Sequence, residues 1–419
     1  MIPFDFLVLF NLIFGVAFIL CYLYQFFFLI AGTFMKPEKF EKAKAWRRFA
    51  FCIAARDEER VIHQLLFSIK GQNYPLELID IYVVADNCTD KTAQIARECG
   101  AVVYERFDRE RIGKGYALAF LFDKIRENTG FDAYDGYFIV DADNLLDRGY
   151  VSAMNDCAEA GSRVAMCYRN SKNYADNWIS AGYSTWFLRA SRHLNIPRHR
   201  FGLSSEITGT GFYVCSDIIK RNNGWRHFCM IEDIEFTVDC VLRGERIAFC
   251  YDAIAYDEQP TKFFQSLRQR TRWCKGYAQV IRRYGGRLIR SFIRGGGFSS
   301  LDMVMAIAPS FFFSTVSVII NAVLVPIIIF ADKNMILPLL IFEGGYILSA
   351  YLLLLFVGAL AVICERKRIK APTGKIVRYL FAFPLFVGTF IISNFVAFFS
   401  RAEWRPIHHY PVNTEEFDA

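Results

Sequence analysis

Residues 136–143 read Gly-Tyr-Phe-Ile-Val-Asp-Ala-Asp, a short apolar run that ends in two acids one residue apart. A run of this length is typical of a strand that is buried on both faces of a parallel sheet. The runs at Phe49–Ala55, 79–85 and 102–104 have the same character. Three segments between these strands are predicted to be helical: 58–69, 89–98 and 116–127. The alternation predicts an α/β fold with a mostly parallel sheet that is covered on both faces.

Acidic side chains follow two of the predicted strands. Asp86 ends the run at 81–85, and Asp141 and Asp143 follow Val140. In open α/β sheets ligands lie beyond the carboxyl ends of the strands. Carboxylate oxygens there suit Mg²⁺ or Mn²⁺ bound together with the phosphates of a substrate. The alternative is that these residues only begin turns or cap the next helix. For a lone Asp-x-Asp at a strand end, this structural role is the more common one.

Long apolar runs flank this α/β region. Hydrophobic residues make up 54% of the 419 residues and aromatic residues 16%, which excludes a disordered chain. The runs are clustered, and four of them carry no charge: 6–35, 303–331, 344–364 and 379–400. Each meets the length of about 20 residues at which a helix spans a bilayer. The sequence therefore predicts a membrane protein with a water-soluble middle.

Basic residues set the expected orientation. Six of them lie between Lys36 and Arg48, directly after the first run, and the positive-inside rule then places the middle domain in the cytoplasm. We expect a multi-pass protein of the plasma membrane. The last run is ambiguous: if it crosses once, the tail lies outside, and if Pro384 breaks it into a membrane-surface or re-entrant element, the tail stays inside. Arg401 and Arg405 favour the internal tail. The predicted parts are an N-terminal transmembrane helix at 1–35, a catalytic domain at 36–260, basic interfacial helices at 261–300, C-terminal transmembrane helices at 301–400 and a tail at 401–419.

The net charge of +7 is unevenly placed, with ten basic residues and no acid between Thr261 and Ser300. Such a stretch could bind nucleic acid, but a belt on an anionic membrane face is favoured, because a membrane segment follows at once. No nucleic-acid partner is therefore predicted. The twelve cysteines are scattered without a CxxC pair, which argues against a zinc site or a disulfide framework and fits a reducing compartment.

Two shorter motifs have both a structural and a functional interpretation. Gly113-Lys114-Gly115 could approach a nucleotide, although it lacks the upstream glycine of a P-loop and could be a simple turn. Glu232 and Asp233 lie among apolar residues at a predicted helix start. Acids stabilise helix N-termini, but a carboxylate there could also take the proton of a sugar hydroxyl as a general base.

The segment Gln269-Arg270-Thr271-Arg272-Trp273 is more specific. It could be part of an interfacial helix whose Trp lies at headgroup level. Alternatively, Arg272 could grip a leaving diphosphate while Trp273 offers a flat platform to a sugar. Both interpretations are compatible with an enzyme that works at the membrane.

The order of these motifs, together with the Gly209-Thr210-Gly211 turn, resembles that of the membrane-integrated family-2 glycosyltransferases, which include the cellulose, hyaluronan and poly-N-acetylglucosamine synthases. The resemblance covers residues 45–290 and the flanking helices. It implies a GT-A fold, a nucleotide-diphosphate sugar donor, most simply a UDP-sugar, a divalent metal (Mg²⁺ or Mn²⁺) and inversion at the anomeric carbon.

The resemblance also implies a role for each matching residue. The implied catalytic base is Asp233, supported by Glu232. The implied nucleotide-sugar contacts are Asp86, Lys114, Asp141, Asp143, Gln269, Arg272 and Trp273. The implied metal ligands are Asp143 and Asp141, and the implied acceptor contacts are Gly209, Thr210 and Trp273.

The expected function is a membrane-bound inverting β-glycosyltransferase, and the Gln-x-x-Arg-Trp segment favours a processive exopolysaccharide synthase. The alternative is a single addition to a lipid such as diacylglycerol or a polyprenol, and the remote alternative is a non-catalytic scaffold. About three apolar runs follow the catalytic domain, fewer than in cellulose synthase, so a polymer-exporting version would need a homodimer or an export partner.

Overall fold

A computed structural model describes residues 3–399, 411–412 and 417. Its described residues contain an eight-stranded sheet with the strand order β3-β2-β1-β4-β7-β6-β8-β5. The strands are β1 (Phe49–Ala55), β2 (Ile79–Asp86), β3 (Val102–Arg106), β4 (Gly136–Asp141), β5 (Leu145–Leu146), β6 (Val164–Ser171), β7 (Phe212–Cys215) and β8 (Ile247–Asp257). The α-helices are α1 (Pro3–Phe34), α2 (Ile62–Lys70), α3 (Thr92–Glu98), α4 (Lys114–Asn128), α5 (Tyr150–Glu159), α6 (Trp178–Arg189), α7 (Ile196–Arg200), α8 (Ser216–Arg221), α9 (Glu232–Leu242), α10 (Phe263–Ile293), α11 (Phe298–Ile307), α12 (Pro309–Ala331), α13 (Ile336–Cys364) and α14 (Thr373–Phe399).

The first four strands form the parallel half of the sheet. β1 pairs in parallel with β2 on one side and with β4 on the other, and β3 joins the outer edge of β2. Six of the seven residues of β1 are fully buried, because helices cover both faces as its uninterrupted apolar sequence requires. The predicted α/β class and the mostly parallel sheet are confirmed.

The second half of the sheet reverses direction. β7 runs antiparallel to β4 and to β6, while β6 and β8 are parallel. This reversal brings the turn before β7 beside the end of β4. Gly211 closes that turn with a φ of 69°, and a Cβ there would lie 2.5 Å from the Cys167 sulfur. Glycine is therefore needed for both backbone conformation and space.

Two helices begin later than predicted, for one physical reason. The predicted helices at 58–69 and 89–98 are observed as α2 from Ile62 and α3 from Thr92. The loops in front of them bind each other instead: the Glu58 amide donates to the Thr92 hydroxyl at 2.8 Å, and the Thr89 amide donates to an Asp57 carboxylate oxygen at 2.7 Å. Side-chain contacts of this kind hold the two loops in turns that precede the helices.

Four helical segments of the described chain are long and apolar enough to span a membrane: Phe4–Phe34, Phe298–Ala331, Lys333–Cys364 and Thr373–Phe399. Inside this bundle the Asn11 amide donates to Asn321 at 2.9 Å and to Glu343 at 3.1 Å. These bonds join α1, α12 and α13. Polar side chains in apolar surroundings need hydrogen-bond partners, and here each helix supplies one to a neighbouring helix.

The basic stretch at 261–300 consists mainly of one long helix, α10, and ends in the first residues of α11. α10 packs on α9, α11 and α14. Its Arg270 is 1% exposed and donates to the Phe386 carbonyl of α14 at 3.1 Å. The ring of Phe386 lies 4.7 Å from the guanidinium carbon. This arginine is therefore a structural clamp between α10 and α14 and does not belong to an exposed basic belt.

The described residues of the C-terminal tail contact the α/β domain. The Gln64 amide nitrogen donates to the Val412 carbonyl at 2.7 Å, and the Val412 amide donates back at 3.2 Å. Phe417 packs on Tyr256 with a centroid distance of 5.0 Å. α14 itself runs unbroken through Pro384 from Thr373 to Phe399, so the break at Pro384 that the re-entrant alternative requires is not observed. A single complete crossing by α14 would put the tail on the opposite face from these contacts. Arg401 and Arg405, which favoured an internal tail, lie outside the described residues.

Candidate active site

A cavity of about 600 Å³ lies beyond the carboxyl ends of the strands and continues between the apolar helices. At one end, which we call the donor end, it is lined by strand-end and loop residues that include Asp86, Asp141 and Asp143. At the other, the membrane end, it is lined by side chains of α1, α13 and α14 such as Phe26, Leu354 and Phe390. Polar and apolar substrate parts can therefore occupy one continuous space.

Asp86 is the last residue of β2. It is 5% exposed and accepts a hydrogen bond from an Arg106 guanidinium nitrogen at 2.5 Å. Burial raises the pKa of Asp86, and Arg106 opposes that rise. Since Arg106 is the β3 residue paired with Asp86 across the sheet, the strand register fixes this carboxylate at the cavity wall.

Asp141 and Asp143 both line the donor end. The Lys114 ammonium contacts an Asp141 carboxylate oxygen at 2.5 Å, while an Asp143 carboxylate oxygen accepts from the Asn144 amide at 3.2 Å. Two carboxylates beside space for a diphosphate match the ligand set with which Mg²⁺ or Mn²⁺ binds nucleotide substrates. The donor chemistry at this position thus fits a divalent metal.

Lys114 connects the metal-site candidates to the acidic pair. Its ammonium donates to the Gly209 carbonyl at 2.8 Å and lies 3.7 Å from a Glu232 carboxylate oxygen. Burial acts to lower the pKa of Lys114, but the Asp141 and Glu232 carboxylates outweigh it and raise that pKa. Lys114 is therefore a fixed positive charge in the middle of the donor end.

Glu232 and Asp233 begin α9 and face the cavity. Burial raises the pKa of Glu232 to about 7, with Lys114 opposing the rise and Asp233 adding to it. Burial also raises the pKa of Asp233. The amides in front of the helix are bound by a different acid, since Glu235 accepts from Phe228 and Cys229 at 2.7 and 2.8 Å. Those two amides precede the helix, whereas the Asp233 carboxylate accepts a backbone hydrogen bond from Ile234 in the first turn. The pair therefore both begins the helix and faces the cavity.

Gln269, Arg272 and Trp273 line the same cavity from one turn of α10. Arg272 donates to the Met230 carbonyl at 2.9 Å, which ties it to the loop before the acidic pair. The Gln269 carbonyl oxygen is buried and has no hydrogen-bond partner among the described residues. Trp273 contacts the Tyr183 ring edge-on at 5.7 Å. The structure therefore brings this segment to the acids, as the sequence predicts.

Of the two turn residues predicted to contact the acceptor, one reaches the cavity and the other does not. Gly209 lines it, whereas Thr210 does not and is fully buried. The Thr210 hydroxyl accepts from the Asp141 amide at 2.8 Å and donates to Asn144 at 2.6 Å. Thr210 thus holds the Asp141 loop in place, and a direct acceptor contact through its side chain does not fit this geometry.

Sequence reasoning missed an ion pair on the far wall of the cavity. Arg169 of β6 donates through Nε to an Asp257 carboxylate oxygen at 3.0 Å, and both residues line the cavity. The guanidinium also lies over the Phe187 ring at 3.8 Å. The rule that singled out Asp86 and Asp141 applies equally to Asp257, the last residue of β8, so this position could have been found. Arg169, in mid-strand, gave no such signal.

A second group of metal-ligating side chains lies outside the predicted metal site. Ligand atoms of Asp57, Cys88 and Asp90 lie within 4.8 Å of one another. Both carboxylates already accept protein hydrogen bonds, Asp57 from Thr89 and Asp90 from Thr92. These bonds hold the two loops before α2 and α3 together, which accounts for the cluster structurally.

The chain is similar to several known proteins. A family model described as "Glycosyltransferase like family 2" matches residues 47–276. A probable glycosyltransferase of Bacillus subtilis, YdaM, is 27% identical over 292 residues, which cover 61% of this chain and 63% of that protein. A beta-monoglucosyldiacylglycerol synthase of Nostoc is 23% identical over 278 residues, covering 64% of this chain and 56% of that protein. The chain thus matches less than two thirds of the length of either relative.

A solved structure confirms the fold of the α/β domain together with the apolar helices. The mannosyltransferase PcManGT from Pyrobaculum calidifontis, described in complex with GDP-Man and Mn²⁺, superposes with a TM-score of 0.59 at 16% identity. The match covers 86% of this chain and 98% of that structure. At this identity the likeness concerns the fold, and it confirms the predicted GT-A class with long apolar helices attached.

Proposed function

This chain belongs to glycosyltransferase-like family 2, and we propose that it transfers a sugar from a nucleotide-diphosphate donor to a hydroxyl group of a membrane lipid, with inversion at the anomeric carbon. The observation that carries this proposal is the single cavity that joins Asp233 to the apolar wall formed by α1, α13 and α14. A water-soluble acceptor would have no use for that wall.

The donor end accounts for binding of the nucleotide sugar. Asp86 lies where it would accept hydrogen bonds from the base or ribose, and Lys114 lies beside the diphosphate position. Asp143 and Asp141 would hold Mg²⁺ or Mn²⁺, which supplies positive charge to the diphosphate when bound. Arg272 adds a fixed positive charge from the opposite side. Preorganised charges of this kind stabilise the negative charge that develops on a leaving diphosphate.

The acidic pair accounts for the transfer step. The acceptor oxygen forms a bond to the anomeric carbon while the bond from that carbon to the diphosphate oxygen breaks on the opposite face. The acceptor proton passes to a carboxylate oxygen of Asp233, and the electron pair of the broken bond leaves with the nucleoside diphosphate. Glu232 is buried beside Asp233, and burial raises its pKa to about 7, so that the two carboxyl groups need not both be ionised near neutrality.

A processive polysaccharide synthase is the second candidate, and Trp273 is the observation that favours it. Its indole lines the cavity between the acids and the membrane helices and rests against Tyr183 and Phe187. An aromatic platform in that position could hold the last sugar of a growing chain. The walls beyond Trp273 are apolar, however, and suit a lipid tail better than a hydrated polymer.

The proposed setting is a membrane with the catalytic domain on the cytoplasmic face, where nucleotide sugars are made available to it. The basic residues from Lys36 to Arg48 and the seven exposed ones between Thr261 and Ser300 support this orientation. A homodimer or an export partner is required only by the polymer version of the proposal.

The test is transfer from radiolabelled UDP-sugars, with GDP-sugars next, in purified membranes supplied with Mn²⁺ or Mg²⁺. Products are separated by size and by solubility in organic solvent, and wild type is compared with Asp233→Asn. A lipid-soluble product carrying one or two sugars that disappears in the variant is the expected result. A product of high molecular weight would replace the lipid proposal with the polymer one, and no consumption of any donor would contradict both.

A further inference from the structure

A charged group lies at the membrane end of the cavity, away from the donor machinery. Arg189 is the last residue of α6 and lines the cavity together with Trp186, Gln25 and Tyr22. It is half-buried, and burial lowers its pKa. A π-helical segment, Ala190–Asn195, follows it directly, and such segments are frequent at functional sites.

Arg189 has no charge partner among the described residues. One of its guanidinium nitrogens donates to the Gln25 carbonyl at 2.9 Å, and its carbon lies 5.4 Å from the Trp186 ring centre. No described carboxylate lies within ion-pair distance of it. Arg198 provides the contrast: it is fully buried and is neutralised by Asp302 at 2.7 Å and Glu206 at 3.0 Å. The Glu206 carboxylate acts on Arg189 only from beyond ion-pair distance. The guanidinium therefore keeps donors, and a cost of burial, that an anion in direct contact would offset.

The surroundings of Arg189 indicate what kind of anion fits. The Tyr22 hydroxyl accepts from the Ser310 amide at 3.1 Å and lines the cavity beside Arg189. Between Tyr22 and Asp233 lies Tyr277, whose pKa is raised by burial and by the Glu206 and Asp233 carboxylates. Beyond Arg189 the cavity wall is apolar, with Phe26 and Leu29 from α1 and further residues from α13 and α14.

We propose that Arg189, with Gln25 and Tyr22, binds the phosphate of the acceptor lipid. The lipid tails would lie along the apolar helices, the phosphate at Arg189, and the hydroxyl that accepts the sugar at Asp233. The acceptor is then a lipid with a phosphate between its tails and its reactive hydroxyl, and not a neutral diacylglycerol. A glycerophospholipid with a hydroxylated headgroup and a polyprenyl-diphosphate-linked sugar both have this chemistry. This inference rests on the proposed lipid glycosyltransferase function.

The experiment measures transfer by the full-length chain in phosphatidylcholine vesicles that contain one acceptor at a time: dioleoylglycerol, phosphatidylglycerol or a polyprenyl-diphosphate-linked sugar. Wild type is compared with Arg189→Gln, Arg189→Lys and the control Arg200→Gln, which removes the same charge from an exposed position near Glu38. We expect a phosphate-bearing acceptor to be preferred by at least 10-fold over dioleoylglycerol in kcat/KM. Arg189→Gln should raise the KM for that acceptor by about 10- to 100-fold.

The remaining parameters separate binding from folding and from the proposed function. The KM for the nucleotide sugar should stay within about 2-fold in Arg189→Gln, and Arg200→Gln should behave as wild type. The acceptor KM of Arg189→Lys should lie between those of wild type and Arg189→Gln, because an ammonium keeps the charge without the planar guanidinium fork.

Equal use of dioleoylglycerol, or an unchanged acceptor KM in Arg189→Gln, would overturn the phosphate site while leaving lipid glycosylation intact. Labelled polymer with no labelled lipid would instead overturn the proposed function. Which of the two phosphate-bearing acceptors is used identifies the source of the phosphate.

Discussion

The donor end and the membrane end of the cavity are built in different ways. At the donor end three ion pairs fix charged groups in place: Asp86 with Arg106, Asp141 with Lys114, and Asp257 with Arg169. At the membrane end Arg189 makes one hydrogen bond to a neutral amide and faces apolar walls. The donor end is therefore preorganised before substrate arrives, whereas the membrane end is left to be completed by its ligand.

This difference gives the two ends separable kinetic signatures. Changes at the donor end should affect donor and metal binding or the chemical step, because those charges are fixed relative to one another. Changes at the membrane end should affect the acceptor KM alone, as expected above for Arg189→Gln. A variant at one end that changed donor binding and the acceptor KM by the same factor would contradict this separation.

The largest effect is expected at the junction of the two ends. Asp233→Asn removes the base while it keeps the shape of the side chain, and loss of a general base lowers kcat by about 10²- to 10⁴-fold. Binding of UDP, measured by calorimetry, should change by less than about 2-fold, because Asp233 makes no contact that the diphosphate position requires. Glu232→Gln is the matched control and should retain more activity. If the two variants lost activity equally, the assignment of the base to Asp233 would be wrong.

A large effect on stability is expected from pH. Glu232 has a pKa of about 7 in the folded protein and about 4.3 in an unfolded chain. The folded state therefore binds more protons between these values, so the free energy of unfolding falls as pH rises from about 4.3 to 7, by about 3 kcal/mol from this group. Glu232→Gln should flatten the dependence over that window, as measured by thermal unfolding at a series of pH values.

The control for this pH dependence is Glu98→Gln, an exposed carboxyl on α3. It should leave the slope unchanged. A wild-type protein whose stability is constant between pH 5 and 7 would show that the donor end does not hold Glu232 in a buried, partly protonated state.

The donor end was largely predictable from sequence, and the membrane end was not. Asp86, Asp141 and Asp257 each end an apolar strand, so the general rule for parallel sheets locates them. Arg189 ends a helix whose sequence gives no comparable signal, and only the packing of α1 against the π-helical segment reveals it. Apolar runs give the number of membrane helices, but they do not specify which helix faces form a cavity.

Buried polar contacts explain the other differences. Thr210 belongs to a turn that the sequence marks as close to the site, yet its hydroxyl binds the Asp141 amide and Asn144 within the protein. Arg270 belongs to a basic stretch, yet it is buried against α14. In both cases the partner is distant in sequence, and a local pattern carries no information about it.

A moderate effect is expected at the metal-site candidates. Asp143→Asn should weaken Mn²⁺ binding in the presence of UDP by about 10- to 100-fold, as measured by electron paramagnetic resonance. Asp141→Asn should weaken it less, since that carboxylate is shared with Lys114. The acceptor KM should be unchanged in both variants, in contrast to Arg189→Gln. Equal Mn²⁺ affinity in wild type and Asp143→Asn would remove Asp143 from the metal site.

The smallest effect is expected where the C-terminal tail contacts the α/β domain, with Phe417 packed on Tyr256 next to Asp257. Gln64→Ala removes both hydrogen bonds to Val412, which should favour tail release by about 1 kcal/mol and change kcat by less than about 2-fold. A protease site added after residue 419 reports release as faster cleavage than in wild type or in the control Gln94→Ala. In sealed vesicles, cleavage should occur only in the orientation that also exposes the catalytic domain. Cleavage only in the opposite orientation would mean that α14 crosses completely and that the tail contacts to Gln64 and Tyr256 do not form in the membrane.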